Sequence, residues 1–447
     1  MSRRNSDPSN APVGASGPLS TSQSVWPWIL GAITATALGG WWVGQWLAER
    51  EPIVVGILHS RSGPTAARER LLIDAEVMAL EDINRTGGLL GRKVRWVIAD
   101  GGADGTSFAR QAERLIRDDR VDVLIGCWST ASRRAVATVV EANDHLLVHP
   151  NRHEGFEESP NVVSIGPLPN QQIAPAVAWC QEAMSARRFF LIGADDPWSR
   201  SAGAFLGDQL AGIGATLVGE EYLPDGSLDV AATIRAIGTS NPDVVFSLLA
   251  GDSASALLRQ LREAGVRPAD LPVMMFSVNE DELRSMPADD VTGHYVVAGS
   301  FHGNDRAADP TTARAFASAT GSPFPMSEQA VVAHGAVRLW AESVKGAGSA
   351  DVSTVRSTIS HQTIPSQEGV IAVDPDSRHA WRNLAVGRIR SDGQVDKLWS
   401  TRGPTRPMPY PATRSRPEWT RFLVSVQREK AARRSVPSPD LRPGATP

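Results

Sequence analysis

Short uncharged apolar runs recur along this chain, each set beside a helix-length amphipathic stretch. Ile53-Val-Val-Gly-Ile-Leu58 is continuous in the manner of a strand buried on both faces. After the turn Arg61-Ser-Gly-Pro-Thr65, apolar residues at Leu72, Ala75, Ala79 and Ile83 follow helical spacing, until Gly87-Gly88 ends the helix. Strands at Val94–Ala99, Val121–Ile125 and Leu146–His149 alternate with helices at Phe108–Asp118 and Arg133–Asn143. The same grammar restarts after Pro167, with strands at Phe189–Gly193, Thr216–Glu220, Val244–Leu249 and Val273–Phe276 and helices at Ile173–Ala183, Ser201–Gly212, Val230–Ile237 and Ala254–Ala264. This order implies an α/β fold of parallel sheets with right-handed crossovers, built as two lobes with a cleft between them. After Tyr295 come a strand, the helix Ser327–Val344, and strands at Gly369–Val373, Asn383–Ile389 and Lys397–Ser400 that read as antiparallel.

Two strand ends carry the chemistry. Val123-Leu-Ile-Gly-Cys-Trp-Ser-Thr130 and Leu146-Leu-Val-His-Pro-Asn151 each pass from an apolar run into polar and aromatic residues. In an open α/β sheet, ligands bind outside the carboxyl ends of parallel strands, so these ends mark a binding crevice. They offer stacking and hydrogen-bonding groups without a nucleophile and an oriented base. Ser129 and His149 lack a clear orienting partner, and no Gly-x-Ser-x-Gly, Walker loop, His-Glu-x-x-His or Cys-x-x-Cys occurs. The reading is a receptor with no catalytic residues and no cofactor.

With 45 Lys+Arg against 49 Asp+Glu, the net charge of −4 gives no field that recruits nucleic acid. Cys127 and Cys180 read as buried thiols rather than a disulfide framework. His149, His153 and Glu154 share a loop but lack the helical i, i+4 spacing of common zinc motifs, so no metal site is assigned. Arg133-Arg134 reads as the solvated start of a helix.

The first 50 residues differ in kind. Residues 1–24, rich in Ser, Pro, Asn and Gly, cannot bury a core and read as disordered. Residues 25–48 hold an uncharged run flanked by Trp26 and Trp28 on one side and Trp41, Trp42 and Trp46 on the other. At ~1.5 Å per residue, the run from Trp28 to Trp46 spans roughly 28 Å, close to a bilayer's apolar thickness. Two readings fit: an uncleaved anchor with the N-terminus in the cytoplasm, or a signal peptide cleaved near Ala35-Thr-Ala37. The long leader and the continuation of the run past that site favour the anchor through residues 26–47. Either reading exports the main domain to the extracytoplasmic face of the inner membrane.

Several segments resemble the substrate-binding proteins of urea and short-chain-amide ABC transporters, and the related amide-sensing regulator of bacterial amidase operons. They include Val55-Gly-Ile-Leu-His-Ser-Arg-Ser-Gly63, Gly126-Cys-Trp-Ser-Thr-Ala-Ser-Arg133, Glu157-Glu-Ser-Pro-Asn161, Pro169-Asn-Gln-Gln-Ile-Ala-Pro175, Gly219-Glu-Glu-Tyr-Leu-Pro224 and Gly403-Pro-Thr-Arg-Pro-Met-Pro-Tyr410. The resemblance runs in unbroken order from about residue 52 to 425. It implies a type I periplasmic binding protein: lobe one at 52–166 and 300–365, lobe two at 167–299 and 366–405, and a Pro/Arg-rich tail at 406–447. Lobe closure over a ligand would be the working motion.

Carried over residue by residue, the pocket implied by the resemblance keeps an aromatic at Trp128 and a hydroxyl at Thr130, with Ser129 and Ser277 as further hydroxyls. His149 and His153 stand where the family has tyrosines, and Asp196 replaces a third; Trp198 keeps an aromatic two positions on. Asn151 and the first-turn residues Ser60 and Ser62 complete the candidate ligand-binding set. The lost tyrosines point to a shifted ligand, so an amidine, guanidine or amine stands beside urea and short-chain amides. The implied partner is an ABC permease; the alternative is a membrane-anchored sensory or regulatory role with altered or lost ligand specificity.

Overall fold

The computed structural model describes residues 51–224, 226–301, 315–318 and 326–434. The leader 1–24, the apolar segment 25–48 and the end of the tail lie outside these residues. Among the described residues no helix is long and apolar enough to cross a membrane.

The first sheet runs β2 (Val94–Asp100), β1 (Ile53–His59), β3 (Val123–Gly126), β4 (Leu147–His149) and β5 (Val162–Ser164), in that spatial order and wholly parallel. Its alternate residues fill two cores. Val55, Ile57, Val123, Ile125 and Val148 pack with Val337, Leu339 and Trp340, whereas Val54, Leu58, Leu124 and Leu147 pack with Phe108, Leu115, Val136 and Val140. Both faces are therefore covered by helices, which is why these strands read as unbroken apolar runs. β5 escapes sequence reading because three residues are too few to show a period.

The second sheet places β6 (Arg188–Ala194), β7 (Thr216–Leu223), β8 (Val244–Ser247), β9 (Val273–Met275) and β10 (Tyr295–Ala298) in parallel, in the order β10-β9-β8-β6-β7. A small sheet of β11 (Thr363–Ser366), β12 (Gly369–Val373) and β13 (Ala380–Trp381) is antiparallel. Two further antiparallel strands, β14 (Ala385–Ile389) and β15 (Val395–Ser400), extend the second sheet beyond β10. Ile364, Ile371, Val373 and Ala380 belong to the first lobe's core, so the small sheet sits with lobe one. The return to lobe two thus comes after Trp381, not at residue 366 as the sequence suggests; an antiparallel strand carries no mark of which core it covers.

Three passages join the lobes, and Arg382 ties them. It lies on the third passage with 2% of its surface exposed. Its guanidinium donates to the Ile165 carbonyl on the first passage and pairs with Glu368 at 2.6 Å. Glu328, at the far end of the second passage, lies 3.9 Å away and accepts from the Gly299 N–H at that passage's start. Burial pushes the Glu368 carboxyl up to about 7, against the pull of Arg382.

A second buried cluster fixes the loop after β4. Arg133, expected at a solvated helix start, is fully buried. It bonds Glu157 at 2.6 Å and Glu154 at 3.1 Å, and these carboxylates outweigh burial to hold its charge. The cause is tertiary: the loop folds back over the first turn of the helix Thr130–Ala142. On the helix Ala66–Arg85, Glu69 and Glu76 face the core and bracket His59 at 3.1 and 3.0 Å. Burial alone would lower the His59 pKa, but Glu76 and Glu69 override it and push it up to about 9.

Replacing Arg133 with methionine leaves Glu154 and Glu157 to the half-exposed Arg134 alone among cations, and is expected to cost about 3 kcal/mol of stability in urea denaturation. A loss below about 1 kcal/mol would mean that the cluster behaves as a solvated surface pair. The histidines set a second expectation. Burial lowers His149 to about 3 and His294 and His379 to about 4, and also depresses His145 and His153. As pH falls below about 6.5, the unfolded chain takes up protons that the folded chain refuses, so stability drops. As pH rises above about 6.5, folded His59 keeps a proton the unfolded chain releases, so stability drops again until about pH 9. Urea midpoints should therefore peak near neutrality and fall more steeply on the acid side, where five histidines act against one. A flat profile across the alkaline arm would remove His59 as a charged core group.

Candidate functional site

The carboxyl ends of both parallel sheets meet at one cleft. From lobe one come the turns after β3 and β4; from lobe two come the turns after β6 and β9. The first turn depends on Gly126, at φ 144°, where a Cβ would lie 2.1 Å from the Leu58 carbonyl oxygen. Cys127 follows at φ 70° and is buried, which swings Trp128 out of the sheet.

Among the described residues, Arg152 and Arg68 of lobe one both reach lobe two. Arg152, after β4, donates from Nη1 to the Phe276 carbonyl after β9 at 3.0 Å. Its guanidinium also lies 4.3 Å from the centre of the Trp198 ring, a cation–π contact. Burial pulls the Arg152 pKa down, with Asp196, Glu282 and Glu328 opposing through their charge. The second contact pairs Arg68 with Glu282 at 3.2 Å, on the rim.

The candidate residues separate into those bonded within the fold and those with a polar atom that finds no protein partner among the described residues. Ser129 caps the helix Thr130–Ala142 by accepting from the Ser132 N–H. Asp196 does the same for the helix Pro197–Gly212, bonding the Ser199 N–H and hydroxyl. The Thr130 hydroxyl bonds Glu154 at 2.9 Å. The Ser60 hydroxyl donates to Gly102 and Ser62 engages Asp100, so both serve their own turn. Asn151 donates to the Trp128 carbonyl at 2.9 Å, joining the two strand ends that the sequence singled out.

His149 is neutral and buried. Its Nδ1 faces the Gly126 carbonyl at 3.0 Å, so the proton sits there, and Nε2 is left without a protein partner among the described residues. Trp128 is half-buried against the cluster of Leu72, Met78 and Ala330. On the opposite lobe, Trp198 and Ser277 are buried, and the indole N–H and the hydroxyl likewise find no protein partner among the described residues. The structure thus brings Trp198 against Arg152, and joins Trp128 to Asn151 and Gly126 to His149 within lobe one.

Arg152 escaped the sequence reading although its neighbours Asn151 and His153 were both singled out. A lone arginine in a polar loop looks solvated, and only the approach of the second lobe covers it. Glu69 and Glu76 left a legible signal: they continue the apolar stripe of Leu72 and Ala79 at helical spacing, and a carboxylate on a core face needs a buried partner. Among the described residues no group of three or more His, Cys, Asp or Glu is arranged to hold a metal. Glu154 is committed to Arg133 and Thr130.

Comparison with known proteins agrees with this architecture. The family described as "Periplasmic binding protein domain" matches residues 53–416. An amino acid binding protein of Pseudomonas aeruginosa is 24% identical over 222 residues, covering 48% of this chain and 58% of that relative, so the match spans little more than half the relative's length. Among solved structures, an amino acid ABC transporter substrate-binding protein from Pseudomonas fluorescens Pf-5 superposes with a TM-score of 0.72 at 17% identity, over 82% of this chain and 99% of that one. A solute-binding protein of an ABC transporter from Rhodopseudomonas palustris BisB5, in complex with 3,4-dihydroxy benzoic acid, gives 0.71 at 20% identity, over 80% and 99%. At these identities the superpositions establish the fold, and the family match over most of the chain establishes membership. The chain belongs to the periplasmic binding protein domain family, in its two-lobed type I form.

Proposed function

We propose that this chain is the extracytoplasmic receptor of an ABC transporter and that its lobes close over one small polar solute. One observation carries the reading: the strand ends of two parallel sheets meet at a single cleft, where Arg152 of one lobe reaches Phe276 and Trp198 of the other. The relatives are named for binding amino acids, and one solved neighbour holds an aromatic acid; solutes of that size suit a cleft closed by single side chains. Residues 26–47 would hold the receptor at the inner membrane, beside the permease it serves.

The urea and short-chain-amide reading draws on the segment Gly126-Cys-Trp-Ser-Thr130. Within it the Thr130 hydroxyl is engaged by Glu154 and Ser129 caps a helix, so Trp128 is the member left to meet a solute. A cationic amidine or guanidine would meet like charge at Arg152. A sensory role would use the same cleft and closure with a different membrane partner.

A melting-temperature screen of the full-length chain in detergent, with amino acids, aromatic acids, urea, acetamide and guanidine, tests the reading. A solute at a hundred times its Kd should add about 2.7 kcal/mol of stability. The same solute should raise amide hydrogen-exchange protection at residues 127–133 and 276–282. Trp198→Ala should weaken binding by about tenfold, the scale of one lost cation–π and packing contact. A panel that yields neither stabilisation nor added protection would refute the receptor reading.

A further inference from the structure

We propose that residues 406–426 form a strap that is fastened to both lobes and limits how far they open. The strap starts at the hinge, where Thr405 and Arg382 exchange backbone hydrogen bonds at 2.7 and 3.3 Å. From there its attachments alternate between the lobes. The Arg406 guanidinium meets Asp374 and Asp376, each at 3.1 Å, on the turn between β12 and β13 of lobe one. The Arg406 carbonyl and the Met408 N–H are both held by the Asn170 side chain, at the start of the lobe-two helix Pro169–Met184. The family match ends at residue 416, and the helix that completes the strap, Arg416–Arg434, begins there.

Two arginines, two residues apart, are held by different lobes. Arg414 forks onto Asp208 of the lobe-two helix Pro197–Gly212 at 2.7 and 2.8 Å. Its guanidinium also lies 4.7 Å from the centre of the Trp419 ring. Arg416 forks onto Glu158 of the lobe-one loop after β4 at 2.8 and 2.7 Å, and lies 4.7 Å from the Tyr410 ring centre. A forked arginine–carboxylate pair fixes direction as well as distance. With one such pair on each lobe, the segment is a tether and not a cap on one lobe.

The lobe-one loop is shaped to receive the strap. Gly155 and Phe156 both take positive φ, 84° and 58°. Such a φ is costly for an aromatic residue and persists only where the surroundings enforce it. Here Glu154 and Glu157 hold Arg133 of lobe one, while the Phe156 ring between them stacks on Trp419 of the strap. A Cβ at Gly155 would lie 2.6 Å from the Pro409 carbonyl oxygen, which accepts from the Phe156 N–H at 2.9 Å, so loop and strap pack backbone to backbone. Trp419 in turn belongs to the core of lobe two with Leu423. Three covalent passages by themselves leave the lobes able to rotate about a hinge; a further link fastened to both bodies bounds that rotation.

The test measures the separation of the lobes in the full-length chain in detergent, by double electron–electron resonance between nitroxides. Arg117→Cys in lobe one and Arg267→Cys in lobe two carry the labels; these positions are 62% and 76% exposed, whereas Cys127 and Cys180 are buried. No solute is added, so the outcome is independent of the receptor reading. Adding Arg406→Gln and Arg416→Gln releases both ion pairs to lobe one and keeps Asp208 and Trp419 in place. The distance distribution should then extend to longer separations than in the labelled chain without them. Amide exchange at Phe156 should quicken by about fivefold, the scale of one exposed ion pair. Glu158→Arg alone should widen the distribution in the same way, and the exchange of Glu158→Arg with Arg416→Glu should restore it. An unchanged distribution in the folded double variant would overturn the strap, even with a lowered melting temperature, because the tail would then stabilise without restraining the lobes. So would a charge exchange that fails to restore the distribution. If the double variant does not fold, Glu158→Arg and the exchange decide alone.

Discussion

Arg382 is the point at which two lobes become one molecule. A buried guanidinium held by Glu368 reaches the carbonyl of one passage, belongs to another, and stands beside the carboxylate that closes the third. Breaking it would leave an uncompensated charge in a low-dielectric interior, which is far more costly than losing a surface pair. The passages are therefore locked to one another while the cores on either side remain separate. That arrangement suits lobes that move as bodies about a short shared hinge.

The loop after β4 belongs to both lobes. Glu154 and Glu157 pin it to Arg133 of lobe one. Phe156 stacks on Trp419 of the tail helix at 4.8 Å between ring centres, and its N–H bonds the Pro409 carbonyl, which joins the loop to the second core. Arg152 precedes these anchors in the same loop and reaches the second lobe at Phe276 and Trp198. Burial keeps His149 and His153 of this segment neutral, so the Arg152 guanidinium is the positive charge that it brings against the second lobe.

Much of the architecture was legible from periodicity. Continuous apolar runs gave the strands because both faces of each sheet are covered, and the restart after Pro167 gave the second lobe. Of the candidate residues, Trp198 meets Arg152 of the other lobe, while Ser129 and Asp196 serve as caps and Thr130 holds a carboxylate. A serine or aspartate ahead of a helix has the same signature whether it binds a ligand or a helix N-terminus. The tail shows the same limit: Pro- and Arg-rich, it nevertheless buries Trp419 completely, with the indole N–H on the Pro411 carbonyl at 2.8 Å.

By itself the sequence determined the order of strands and helices and the parallel sheets, because these follow from local patterns of apolar and polar residues. The tertiary structure decided which charges are buried. Arg133, Arg382 and the His59–Glu69–Glu76 group are fixed by partners far apart in the chain, and burial and electrostatics act through space. Arg152 is the clearest instance: a loop arginine until a second sheet brings Phe276 and Trp198 against it.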